Sequence, residues 1–153
     1  MHCALYDSPL GPLTLRSDGE ALVSLQFGTG LVQGDEMVFR ETFRWLDAWF
    51  QGVELPRPKL RMYGSSFRLT VWEQCMSIPH GQTLSYGALA CRMGCPGAAR
   101  AVGTALARNP LLIIVPCHRV LPVSGGVGRY AAGSTLKRLL LERENIDKST
   151  PQV

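Results

Sequence analysis

From Leu111 to Cys117 the chain reads Leu-Leu-Ile-Ile-Val-Pro-Cys, its longest uninterrupted apolar stretch. Seven residues with a proline among them cannot cross a bilayer, which takes about 20. An unbroken apolar run of that length, without alternation, instead marks a strand or extended segment buried on both sides. The fold must therefore enclose residues 111–115 and hold the next five, Pro116-Cys117-His118-Arg119-Val120, at the end of that segment. The remainder of the 153 residues can supply such an interior: 46% of the chain is apolar and 18% charged, with Gly and Pro throughout, which excludes disorder and coiled coil. A chain of this size buries roughly 70% of its unfolded surface, enough for one domain or two small ones. The N-terminus has no basic segment followed by an apolar one, so no secretory signal is read and a cytoplasmic protein is expected. Five cysteines without a C-x-x-C pair suggest free thiols rather than a disulfide framework, and Cys75, Cys91 and Cys95 are read as core thiols.

Charge is unevenly placed. Residues 1–64 carry 6 basic and 8 acidic side chains, whereas residues 65–153 carry 10 basic and 4 acidic ones. Between Ser65 and Thr135 the only carboxylate is Glu73, against six arginines. The second part is thus a candidate surface for a polyanion.

The first part reads as β then α. Short strands are expected at His2–Tyr6, Leu13–Arg16 and Leu22–Phe27, separated by turn sequences rich in Ser, Pro, Asp and Gly, and form a three-stranded meander. From Asp35 to Gln51, Phe39, Phe43, Leu46 and Phe50 recur at helical spacing, with Asp35 as N-cap and Gly52 at the end. Leu55-Pro56-Arg57-Pro58 and Tyr63-Gly64-Ser65-Ser66 cannot continue a helix, which places a domain boundary near residue 64.

The second part, residues 65–153, reads as mostly helical. One helix is expected over Phe67–Ser77. Another, capped by Ser85, runs to Met93, the chain turns at Gly94-Cys95-Pro96-Gly97, and a third helix covers Ala98–Arg108. Two short helices joined by such a turn in a basic segment fit a helix-turn-helix. The third helix has an apolar face of Ala98, Val102, Ala105 and Leu106, and an outward face of Arg100, Gly103, Thr104, Ala107 and Arg108. Small residues beside arginine suit close backbone approach to a shallow or narrow groove better than the reading of base edges in a major groove.

Chemistry concentrates after the apolar run. Cys117 is fixed beside an imidazole, His118, and a thiol reacts as its thiolate, which a neighbouring base or cation makes easier to form. Adjacent residues on an extended segment face opposite ways, so His118 should reach Cys117 through a water or a local turn. Glu142 or Glu144 could orient the imidazole. Residues 124–133 form a glycine-rich loop that could wall a pocket but lack the ending of a phosphate loop.

These segments together resemble the O6-alkylguanine-DNA alkyltransferases. Ser85-Tyr86-Gly87-Ala88-Leu89-Ala90, Ala98-Ala99-Arg100-Ala101-Val102-Gly103, Asn109-Pro110, Val115-Pro116-Cys117-His118-Arg119-Val120 and Gly128-Arg129-Tyr130 carry the resemblance, in order, from about Phe67 to Glu144. Asp7-Ser8-Pro9-Leu10-Gly11-Pro12-Leu13 is similar to the start of bacterial and archaeal members. The resemblance implies an α+β protein with a ribonuclease-H-like N-terminal domain over residues 1–64 and a winged-helix-like C-terminal domain with a helix-turn-helix. It implies a repair protein that binds double-stranded DNA at the minor groove, flips an O6-alkylguanine out, and moves the alkyl group irreversibly to its own cysteine.

By the same resemblance Cys117 is the acceptor, His118 the base that takes the thiol proton through a water, and Glu144 rather than Glu142 the orienting carboxylate. Tyr86 donates a hydrogen bond to the purine, Asn109 braces the junction before the cysteine segment, and Arg100 enters the stack in place of the flipped nucleotide. Val120, Tyr130 and Ala131 line the pocket, and Gly103, Thr104 and Ala107 meet the groove. Ala131 and Ala132 stand where many members have a polar residue and a glycine, which could narrow the alkyl pocket. Zinc held by some members needs Cys and His ligands in the N-terminal domain, which here offers only His2 and Cys3, so neither metal nor other cofactor is expected. A monomer without membrane attachment is expected. The alternative within the fold is a non-catalytic alkyltransferase-like protein that only binds lesions; those lack the acceptor cysteine, and Cys117 counts against that reading. A thiol hydrolase using Cys117 and His118 would differ by turning over repeatedly.

Overall fold

The structure is a computed structural model and describes residues 1–145. The chain forms two compact units, one of residues 1–62 together with 110–112, the other of residues 63–109 and 113–145.

In the first unit, strands β1 (His2–Ser8), β2 (Gly11–Ser17) and β3 (Leu22–Phe27) make an antiparallel sheet in the order β1-β2-β3. Each expected strand is present, the first two extending further than the alternation alone suggested. Ser8 pairs with Gly11 across a two-residue connection, and Leu13, Leu15 and Leu25 point into a fully buried face. The free side of β3 takes up two later segments, with Leu22 N–H donating to Lys59 O and Leu25 N–H to Pro110 O.

A 3₁₀ turn (Glu36–Phe39), capped by the Asp35 carboxylate on Met37 N–H, leads into helix α1 (Arg40–Phe50). The helix is where the sequence places it, with Phe39 and Leu46 fully buried, and its buried face also takes in residues the spacing did not single out. Thr42, Trp45, Leu46 and Trp49 are buried, whereas Phe43 and Phe50 are half-buried and stack on Tyr6 of the sheet at 6.0 and 6.4 Å. Indole rings reach further than benzene rings and carry more apolar area, so the two tryptophans take the core.

The second unit packs three helices. Helix α2 (Ser66–Met76) is capped by Ser65, whose hydroxyl accepts from Arg68 N–H. Helix α3 (Tyr86–Arg92) is capped by Ser85 on Ala88 N–H, and helix α4 (Ala99–Ala107) follows after the turn at Gly94, whose φ of 74° no β-carbon-bearing residue adopts cheaply. Trp72 on α2 is buried and donates its indole N–H to Ala105 O on α4 at 2.9 Å, fixing the helix-turn-helix against α2. Val102, Ala105 and Leu106 face inward, and Arg100, Thr104, Ala107 and Arg108 face solvent, as the spacing indicated. All five cysteines are free. Cys75 is buried, but Cys91 and Cys95 are exposed, contrary to the expectation of core thiols, because they lie on the outer side of α3 and in the turn after it.

The apolar run 111–115 is buried throughout, yet it is not a strand. Beyond the bridge at Leu111 it is a tight turn, with Ile113 at φ 72°. A β-branched residue in the left-handed region is disfavoured by roughly 1–2 kcal/mol, and burial of the whole segment offsets that cost. No helix among the described residues is long and apolar enough to cross a membrane.

Candidate active site

Two short strands locate the site within the second unit. Strand β4 (Leu84–Ser85) runs parallel to β5 (Val120–Leu121), pairing Leu84 with Val120 and Ser85 with Leu121. Tyr86 leaves the C-terminal end of β4 and the Cys117–Arg119 segment enters the N-terminal end of β5, so the two flank opposite ends of a ladder only two residues long. Cys117, His118 and Arg119 form a single 3₁₀ turn, the local turn that the sequence allowed for, and all three are buried.

The Cys117 thiol is held by Asn109, whose side-chain amide donates to the sulfur at 3.1 Å and to Val115 O at 2.9 Å. Burial pushes the thiol up to about 11, and the Asn109 hydrogen bond and the Lys137 charge only partly counter it. At neutral pH roughly one molecule in ten thousand would then carry a thiolate at rest, so the site needs a base that receives the proton as reaction begins.

His118 is the adjacent base. Its Nε2 lies 2.6 Å from Glu144 Oε2, and both side chains are buried. Burial pushes Glu144 up, but the hydrogen bonds and charges of His118 and Arg119 outweigh that and hold it at about 2. A carboxylate only accepts, so the neutral ring carries its hydrogen on Nε2 and presents Nδ1 as the basic nitrogen. Burial also keeps the ring neutral, moving His118 below its ordinary value despite the Glu144 charge. Glu142, the other candidate orienter, is exposed on the outer side of helix α5 (Ser134–Arg143), while Glu144 sits at the inner side of its C-terminal cap.

Lys137, which no spacing argument singled out, is fully buried on α5. Its ammonium donates to Val120 O at 2.7 Å, Arg129 O at 3.0 Å and the Tyr86 hydroxyl at 3.3 Å. One cation thus ties β5, the glycine-rich loop and Tyr86 together. Desolvation lowers it to about 8, the nearby thiols Cys117 and Cys75 pulling the other way. Because an ammonium offers no acceptor, the Tyr86 oxygen receives its hydrogen bond and the phenol hydrogen is left to point elsewhere. A signal was present in the sequence: Lys137, Leu140, Leu141 and Glu144 share one helical face, and two charged residues on an apolar stripe mark a buried polar site.

The loop after β5 closes over this point. Gly128, at φ 71°, leaves no room for a side chain, since a β-carbon there would come within 2.7 Å of Pro122 and 3.6 Å of the Tyr86 hydroxyl. Val120 is buried and Tyr130 half-buried, its hydroxyl enclosed without a hydrogen-bond partner among the described residues. Ala131 is exposed and Ala132 half-buried. On α4, half-buried Gly103 faces the Tyr86 ring, where an added β-carbon would make ordinary contact at 3.8 Å. Arg100 is exposed on the first turn of α4.

A buried thiol, a carboxylate-oriented imidazole, and a phenol donor beside them suit transfer of a small group to sulfur. Comparison with known proteins agrees. Residues 66–146 match the family described as 6-O-methylguanine DNA methyltransferase, DNA binding domain, and residues 1–56 match its ribonuclease-like domain. The chain belongs to the 6-O-methylguanine DNA methyltransferase family. A methylated-DNA–protein-cysteine methyltransferase of Mycobacterium leprae is 42% identical over 153 residues, covering 94% of this chain and 92% of that one. A protein of the same name from Methanosarcina acetivorans is 41% identical over 154 residues, covering 94% and 98%. The crystal structure of Mycobacterium tuberculosis OGT in complex with DNA superposes with a TM-score of 0.86 at 42% identity, over 94% of this chain and 92% of that one. The methyltransferase family thus accounts for both units, the antiparallel sheet with its helix and the helical part with the helix-turn-helix.

Proposed function

We propose that the protein reverses alkylation damage by moving the alkyl group of O6-alkylguanine in double-stranded DNA onto Cys117, once per chain. The observation that carries this reading is the buried Cys117 held by Asn109 next to a His118–Glu144 pair, in a chain of this family. It acts as a monomer in the cytoplasm, approaching the minor groove with α4, while Arg100 fills the gap left by the flipped nucleotide and Gly103, Thr104 and Ala107 allow close approach.

In the reaction, His118 takes the Cys117 proton through a water, and the sulfur attacks the alkyl carbon. The carbon–sulfur bond forms as the bond to O6 breaks, and the electron pair of that bond returns to the purine. Tyr86 donates toward the purine ring, so that guanine leaves as a neutral base rather than an anion. Val120, Tyr130 and Ala131 wall the pocket. The product is a thioether, which water does not displace under mild conditions, so neither a cofactor nor a regeneration step is required.

Replacing the acceptor tests the assignment. Cys117→Ala should retain binding to duplex DNA containing O6-methylguanine, since binding resides in the helix-turn-helix and pocket, and should lose transfer completely. Residual transfer would move the acceptor to Cys75, Cys91 or Cys95 and overturn the role of Cys117.

A further inference from the structure

Arg119 is buried beside the Cys117–His118 pair, and alkyl transfer as proposed leaves it without a part. Its guanidinium makes an extensive set of contacts. Nε donates to Glu144 Oε1 at 2.8 Å and to Oε2 at 3.2 Å, Nη2 donates to Oε2 at 3.0 Å, and Nη1 donates to Ile78 O at 2.7 Å. Gly81 N–H adds a further bond to Oε1 at 3.2 Å. One oxygen of the carboxylate is therefore taken up by Arg119 and Gly81, and the other is divided between Arg119 and His118. Three segments meet in this arrangement: the turn after α2, the Cys117–Arg119 turn and the end of α5.

The charge balance matters as much as the geometry. A buried carboxylate with no countercharge would hold the adjacent imidazole as imidazolium, and an imidazolium cannot accept a thiol proton. A buried guanidinium needs a bonded anion in turn, and its planar fork suits a carboxylate better than an ammonium does. We propose that Arg119 is a positioning residue for alkyl transfer: it clamps the Glu144 carboxylate, turns one oxygen toward His118 and offsets its charge, so that the imidazole stays an oriented, neutral base. The proposal rests on the alkyl-transfer reading of the site.

The charged groups facing His118 are Glu144 from the end of α5, Lys137 from the middle of α5, and Arg119 from its own turn. Burial lowers the ring most, Glu144 raises it, and Arg119 and Lys137 lower it further. Those facing Glu144 are His118 and Arg119. Removing the Arg119 charge therefore moves His118 upward, and the pH below which transfer fails moves upward with it.

The test is the pH dependence of single-turnover transfer at saturating O6-methylguanine duplex, for the unsubstituted chain, Arg119→Gln and Arg119→Lys, each checked for a cooperative thermal melt. Arg119→Gln should raise the acid limb by about one pH unit. Arg119→Lys keeps the charge but not the fork, so its acid limb should stay near that of the unsubstituted chain while its plateau falls roughly tenfold through misplacement. Both variants slowing transfer by one factor at every pH, with the limb unmoved, would make Arg119 purely structural and overturn the proposal. Should Arg119→Gln not fold, the His118 ring titration followed by NMR in Arg119→Lys decides. A midpoint like that of the unsubstituted chain with a displaced Nε2–H resonance, marking an imidazole no longer aligned on Glu144, supports the proposal, and a displaced midpoint or an unmoved Nε2–H resonance overturns it. Absence of transfer by the unsubstituted chain at any pH would instead overturn the alkyl-transfer reading itself.

Discussion

At the scale of single residues, the site combines a thiol that resists ionisation with a base that is kept neutral and a carboxylate that is kept charged. Each state follows from burial against specific partners: Cys117 against the Asn109 amide, His118 against Glu144, and Glu144 against Arg119. The Glu144 carboxyl is held at about 2, below its ordinary 4.5. A depressed acid contributes stability that is present above its ordinary value and is lost as pH falls toward the folded value. The melting temperature should therefore drop between pH 4.5 and about 2, by an amount corresponding to about 3 kcal/mol for this group. Glu144→Gln should show a shallower drop across the same window, and equal slopes for the two proteins would contradict the pairing. The Cys117–His118 neighbourhood was legible in the sequence because the two residues are adjacent. The contribution of Arg119 was not, because it depends on a partner 25 positions away, and Lys137 was marked only as a charge on an apolar helical face, its bond to Tyr86 spanning 51 positions.

At the scale of elements, the three strands were legible through alternation and turn residues, and α3 and α4 through Ser85, the glycine turn and the small outward face. The apolar stripe of α1 was legible in Phe39, Phe43, Leu46 and Phe50, but the burial of Trp45 and Trp49 was not, because all six obey helical spacing and only packing decides which of them enter the core furthest. The run 111–115 was read as extended because burial and strand share one signature, an unbroken apolar sequence, while a buried turn at Ile113 has none. On α4, two roles for Arg100 make different claims. A phosphate contact would survive Arg100→Lys, whereas a planar group stacked in the place of a flipped base would not. We expect Arg100→Ala and Arg100→Lys both to slow repair of duplex DNA while leaving reaction with free O6-benzylguanine nearly unchanged, as read by the ratio of the two rates for each variant. Equal slowing of both substrates would make Arg100 structural.

At the scale of the whole molecule, charge is divided as the work is. Residues 1–64 hold an excess of acidic groups and residues 65–153 a clear excess of basic ones, including the exposed Arg100 and Arg108 of the α4 region. On the proposed reading these arginines meet phosphates from a helix face with few groups for base edges, an arrangement that gives affinity without sequence preference. Binding to undamaged duplex should weaken steeply as salt rises and vary little with sequence; one strongly preferred undamaged sequence in a footprint would contradict this. That division was legible from the positions of charged residues, whereas the grouping of residues 110–112 with the first unit was not, because it depends on backbone bonds to Leu25 that no side-chain pattern announces. The central claim is that one chain accepts one alkyl group on one sulfur. It is tested most directly by intact-mass measurement after incubation with excess O6-methylguanine duplex, followed by fragmentation to locate the added group. The expected result is a plateau at one CH₂ added per chain, on Cys117. Continued loss of lesions beyond one per chain, or a consumed lesion with an unmodified Cys117, would contradict the account.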